Sequence, residues 1–155
     1  MAYLFGSYEC KADAKGRFML PAALKKQLEP VVEQGFVLKK SVYHQCLELF
    51  PMEEWNTVMK DVGKLNLFVK ETNDFIRKFT AGYKFIELDN TGRIQIPRDL
   101  MNFSGIKKEV VVTASVSRVE IWDKERYDAV VEDDSVDFAT LAAKVIGDKN
   151  EVPES

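Results

Sequence analysis

The chain has 155 residues, 46% hydrophobic and 30% charged, a soluble globular balance that leaves room for one compact domain or two very small ones. No apolar run reaches the roughly 18 residues of a membrane-spanning helix. MAYLFGSYEC lacks a basic leader ahead of an apolar core, so a cytoplasmic protein is expected.

Two cysteines, Cys10 and Cys46, and one histidine, His44, show no CxxC spacing and make no recognisable zinc site. Both cysteines read as small strand residues in a reducing compartment. The net charge of −3 is unevenly spread. From Asp128 to Ser155 eight acidic side chains face only Lys144 and Lys149, which leaves residues 1–127 with a net charge of +3. Between Lys11 and Leu28 five basic residues face Asp13 alone. For steering a polyanion, where charge sits matters more than its total.

In chain order, YECKA reads as a short strand, and Asp13-Ala14-Lys15-Gly16 as a type I turn, which favours Asp first and Gly fourth. The Asp side chain can accept a backbone N–H two residues on, and Gly tolerates the positive φ that follows such turns. In RFMLP, Phe18 and Leu20 share one face and Arg17 and Met19 the other. Pro21 stops the strand and suits a helix start, so PAALKKQLE is expected to form one or two helical turns. GFVLKK and CLELF follow as strands.

Then comes PMEEWNTVMKDVGKLNLFVKETNDFIRKFTAG. Trp55, Val58, Met59 and Val62 fall at helical spacing, as do Leu65, Phe68, Val69, Ile76 and Phe79, with Gly63 breaking the run into two helices. The apolar stripe reads as core or subunit contact. YKFIEL is again a strand, and Asp89-Asn90-Thr91-Gly92 again a turn. RIQIP turns Ile94 and Ile96 inward and Arg93 and Gln95 outward, and PRDLMNFS is a short helix. EVVVTA and RVEIW are strands. In the acidic tail DFATLAAKVIG is expected to be helical and KNEVPES frayed.

DAKGRFMLP and DNTGRIQIP thus carry one skeleton, Asp-x-x-Gly-Arg-x-x-x-Pro, 76 positions apart. LELFPMEEW and VEIWDKERY repeat at an offset of 72, so an intervening loop is shorter in the second copy. A unit of about 45 residues buries too little surface to stand alone; two sharing one core would suffice.

Asp13, Gly16, Asp89 and Gly92 are explained by turn building. Arg17 and Arg93 are less so, because an exposed strand position accepts Lys, Thr, Glu or Gln equally well. The recurring arginine points to use of its planar five-donor fork. It can pair internally with the Asp four residues earlier, or face phosphates or guanine edges with the Asp orienting it. Paired-carboxylate catalysis of the aspartic-protease kind is disfavoured. Asp and Thr-Gly are not contiguous, the first copy has no hydroxyl, and Lys15 and Arg17 would keep Asp13 ionised. SVYHQC around His44 carries no nucleophile elbow, and no GxGxxG or Walker sequence is present.

With DAKGRFMLPA, LFPMEEW, FTAGYKFIELDNTGRIQIP and VEIWDKERY in place over about residues 4–127, the chain resembles the MraZ family of bacterial transcriptional regulators, encoded at the head of the division and cell-wall gene cluster. The resemblance implies an α+β, strand-rich fold of two tandem pseudo-symmetric SpoVT-AbrB units with swapped hairpins forming a barrel-like sheet. The units would span 5–52 and 81–124, with a helical linker at 53–80 and an acidic tail at 125–155. It implies a homo-oligomeric ring on the nucleoid that binds promoter-proximal direct repeats of double-stranded DNA, usually repressing its own operon, with neither catalytic residues, cofactor nor metal. The family's Asp-x-x-x-Arg signature falls on Asp13 with Arg17 and Asp89 with Arg93. The DNA-binding set expected on this basis is Lys11, Asp13, Lys15, Gly16, Arg17, Asp89, Thr91, Gly92 and Arg93. Thr91 stands where the first copy has Lys15, which distinguishes the second loop. The alternative from another class is a ring-forming scaffold whose basic loops bind an acidic protein partner.

Overall fold

Each copy of the repeat folds into two strands, a helix and two more strands in the computed structural model, which describes residues 3–148, and the first copy adds a 3-10 segment after its helix. The first copy gives β1 (Ser7–Lys11), β2 (Arg17–Met19), α1 (Ala22–Leu28), a 3-10 segment (Glu29–Gln34), β3 (Phe36–Lys40) and β4 (Leu47–Pro51). Two helices follow, α2 (Met52–Val62) and α3 (Lys70–Phe79). The second copy gives β5 (Lys84–Ile86), β6 (Arg93–Gln95), α4 (Arg98–Ser104), β7 (Glu109–Ser115) and β8 (Arg118–Asp123). Pro21 and Pro97 cap α1 and α4, ending the strands before them as expected.

The two copies exchange strands. The larger sheet runs β1-β7-β8-β4-β3-β5, and β2 pairs with β6 alone. Thus the first strand of each copy adds to the other copy's β-hairpin: β1 lies on β7, and β5 on β3. The swapped-hairpin expectation is met. Register exposes the pseudo-twofold axis, because repeat-equivalent residues face one another: Phe18 opposite Ile94, and Glu48 opposite Glu120.

Inward-facing side chains of both copies form one core. Phe18, Leu24, Leu38 and Leu49 pack in the same cluster as Ile94, Leu100, Val112 and Ile121, all at most 1% exposed. Neither copy retains a closed core without the other, which is how units this small become stable.

The outer face of the larger sheet is built differently. Trp55 of α2 is buried against Val37 and Phe50 and stacks on Phe79 of α3, with ring centroids 6.1 Å apart. Carboxylates placed directly opposite repel, so the Glu48–Glu120 pair needs cations. Arg118 Nη1 lies 3.3 Å from Glu48, and Lys39 Nζ 3.6 Å from it. Burial pushes the Lys39 ammonium down from its usual range, opposed by the charge of Glu48. Lys39 also lies 4.2 Å over the Phe79 ring. Cys46, fully buried on β4's approach, has its thiol pushed up to about 12 by that burial, and Cys10 is half-buried; both are free.

Gly63 closes α2 as its C-cap. The helical spacing of Leu65, Phe68 and Val69 does not continue into a helix, since these residues form the turns before α3 and are exposed. The chain from Glu125 onward forms a separate unit. It holds most of α5 (Lys124–Glu132) and all of α6 (Phe138–Asp148), the latter where a tail helix was expected. The KNEVPES expectation lies outside the described residues. Among the described residues no helix is long and apolar enough to cross a membrane.

Candidate nucleic-acid interface

The two Asp-x-x-Gly-Arg turns are the same object built twice. Asp13 Oδ1 accepts the backbone N–H groups of Lys15 and Arg17, both at 2.9 Å. Its Oδ2 accepts Arg17 Nε at 2.8 Å. Asp89 Oδ1 accepts the N–H groups of Thr91 and Arg93 at 2.9 Å, and its Oδ2 accepts Arg93 Nε at 2.8 Å. In each turn the Gly N–H donates to the Asp carbonyl at 3.0 Å, and the Asp N–H donates to the Arg carbonyl. The glycines are required: Gly16 has φ +80° and Gly92 φ +84°, the left-handed region that side chains resist.

Both carboxylates are pulled below the usual range. For Asp13 the largest cause is the Arg17 backbone N–H. For Asp89 it is the Arg93 backbone N–H, followed by the Thr91 hydroxyl, which donates to Oδ1 at 2.7 Å. Neither aspartate is poised to share a proton, as a catalytic dyad would require.

Of the two alternatives for the arginines, the internal pairing with Asp is present. Nε is tied to the aspartate, while the Nη groups of Arg17 and Arg93 donate no hydrogen bond among the described residues. The side chains are 33% and 37% exposed. A guanidinium has five N–H donors, so fixing Nε orients the fork and leaves its four Nη hydrogens uncommitted within the described residues.

The strands then bring the two forks together. Phe18 and Ile94 turn inward, so the outer face of the β2–β6 ribbon carries Arg17 opposite Gln95 and Met19 opposite Arg93. The arginines are diagonal neighbours, a geometry with a spacing of roughly 7–8 Å. Two crossed bonds lace the turns to this ribbon: Leu20 N–H to Gly92 O at 3.2 Å, and Ile96 N–H to Gly16 O at 2.9 Å.

Of the other expected residues, Lys15 and Thr91 are exposed in the turns, and Lys11 is exposed at the end of β1, opposite Glu109. Gly16 and Gly92 are buried and shape the loops. The sequence reading assigned no role to Met19 and Gln95, or to Lys25, whose ammonium lies against Gly92. Alternation had put Met19 and Gln95 on the outer face; what it lacked was that their strands pair. Among the described residues no group of three His, Cys, Asp or Glu side chains is placed to hold a metal ion.

A family model described as "MraZ protein, putative antitoxin-like" matches twice, over residues 3–78 and 79–149. The chain is 56% identical over 147 residues to the transcriptional regulator MraZ of Christiangramia forsetii, covering 95% of each chain. It is 52% identical over 151 residues to that of Flavobacterium psychrophilum, covering 97% of this chain and 96% of the relative. It is 36% identical over 146 residues to that of Cytophaga hutchinsonii, covering 94% and 96%.

Proposed function

The chain belongs to the MraZ family, and from that premise we propose that it is a transcriptional regulator that binds double-stranded DNA through its paired Asp-x-x-Gly-Arg turns. The observation that carries this reading is the placing of two guanidinium forks, each held by its own carboxylate, on one exposed face of a two-stranded ribbon. The major groove of B-DNA admits such a ribbon, and arginine pairs bidentately with guanine O6 and N7.

Lys11, Lys15 and the neighbouring cations supply sequence-independent phosphate contacts, and the arginines supply base reading. One such ribbon covers few base pairs, so useful affinity needs several copies. In a ring on tandem direct repeats, linkage raises affinity by a factor on the order of 10² to 10⁴. The repeats lie upstream of the protein's own operon in the division and cell-wall cluster, and binding there represses it. This places the protein on the nucleoid and makes it a binding protein rather than an enzyme. Its two DNA-binding units are 5–52 and 81–124, carried by the 53–80 helices and followed by the acidic 125–155 tail.

A gel-shift titration on the DNA upstream of the gene tests the reading. Arg17→Ala is expected to lose roughly tenfold or more in specific affinity per site, with the oligomer intact by size exclusion. Unchanged affinity would remove the proposal. Equal binding of native and scrambled duplexes would favour the scaffold reading instead.

A further inference from the structure

The pseudo-twofold axis through the β2–β6 ribbon creates a difficulty for any DNA reader built on it. A face with two equivalent arginines fits a duplex in two orientations related by half a turn. On direct repeats every protomer must choose the same one. Something on the ribbon has to break the symmetry.

The arginines cannot do so. Arg17 and Arg93 occupy equivalent positions and make the same bonds to their aspartates at the same 2.8 Å. The remaining two positions on the outer face do differ. Met19 and Gln95 are equivalents in the repeat, and each stands directly across from the other copy's arginine. Both are exposed, Met19 by 50%. Among the described residues the Gln95 amide makes no hydrogen bond, so its donor and acceptor are uncommitted within the protein. Their surroundings differ too. Gln95 borders a cleft with Lys15, Glu87 and Arg98, whereas Met19 borders one with Glu9, Lys11 and Ala22, the repeat equivalent of Arg98.

The chemistry of the two side chains matches different base edges. Glutamine pairs bidentately with adenine N6 and N7, and an apolar side chain contacts the thymine methyl. The reach fits as well. Diagonal positions on the ribbon are roughly 7–8 Å apart, and base steps rise about 3.4 Å, so the four side chains span about two steps.

We infer that Gln95 and Met19 are specificity-determining residues: Gln95 reads an adenine beside the guanine taken by Arg17, Met19 packs on a thymine methyl at the symmetry-related place, and their difference fixes the protomer's orientation on each repeat. This rests on the DNA-binding reading and adds to it the residues that give the site direction. The basic residues on the same side, with Lys15, Arg17 and Arg98 at one end and Lys25 and Arg93 at the other, supply the charge complementarity to a duplex.

The test is selection of binding sites from randomised duplexes by the full-length protein, alongside Gln95→Met and Met19→Gln. Each variant makes the two positions alike, so the selected half-site is expected to gain internal twofold symmetry. Gln95→Met is further expected to lose its base preference at one position by about five- to 150-fold, with an unchanged slope of binding against salt. Both residues are exposed, and unchanged thermal unfolding confirms that the variants fold. If the parent protein selects a site and both variants select the identical site, the inference fails while the DNA-binding reading stands. If the parent selects no site, both fail together.

Discussion

The first and second Asp-x-x-Gly-Arg turns share every residue that shapes the backbone and differ in nearly every one that meets solvent. Asp, Gly and Arg recur, and the Asp–Gly and Asp–Arg bonds inside each turn agree within 0.1 Å. Ala14, Lys15 and Met19 become Asn90, Thr91 and Gln95. The turn is thus a fixed mount, and the solvent-facing positions are free to specialise. Since Asp13 and Asp89 use both oxygens on their own turns, they act as positioning groups for the arginines.

The largest expected effect separates the two glycines. A Cβ added at Gly16 would meet the Ile96 carbonyl oxygen at 2.8 Å, an atom fixed in the backbone. At Gly92 it would meet Lys25 Nζ at 2.6 Å, the far end of a side chain that can swing away. Both alanines suffer the positive φ, but only Gly16→Ala must also move the ribbon. Urea unfolding is expected to show a loss of about 2–3 kcal/mol for Gly16→Ala and about 1 kcal/mol for Gly92→Ala. Equal losses would erase this difference between the turns.

A smaller effect sharpens the contrast between Lys15 and Thr91. Lys15→Thr is expected to lower the salt slope of DNA binding by about one, and Thr91→Lys to raise it by about one, with base preference unchanged. Fluorescence anisotropy over a salt series measures both. A slope that ignores either change would mean that these positions do not meet phosphate.

The smallest effect lies in acid. Each folded carboxylate sits below its unfolded value, so each turn's contribution is complete above about pH 4 and fades as pH falls through the folded value. Asp89 has the additional Thr91 hydroxyl, so it is expected to protonate at lower pH than Asp13. Thr91→Val is expected to move Asp89 up toward Asp13 in a carboxylate NMR titration. No movement would show that the hydroxyl is immaterial.

Much of this was legible in the sequence because its signals are local. Period-two alternation placed Phe18 and Ile94 inside and Arg17 and Arg93 outside, and the Asp-to-Gly spacing specified the turns. What stayed hidden was pairing between distant strands. Nothing in RFM or RIQ announces that Met19 will lie across from Arg93, so the joint face could not be read. Lys39 was equally opaque. Its burial follows from α2 and α3 covering the outer sheet, a tertiary event that no side-chain pattern in GFVLKK encodes.

The exchange of strands between the copies has one more consequence. A true homodimer carries every substitution twice and cannot give its halves different tasks. Here two halves that would otherwise be identical subunits are joined by residues 52–83, and each completes the other's sheet. Neither half can leave, yet each can mutate alone. A molecule that looks like a symmetric pair is thereby able to carry different side chains at matched places, as at Met19 and Gln95.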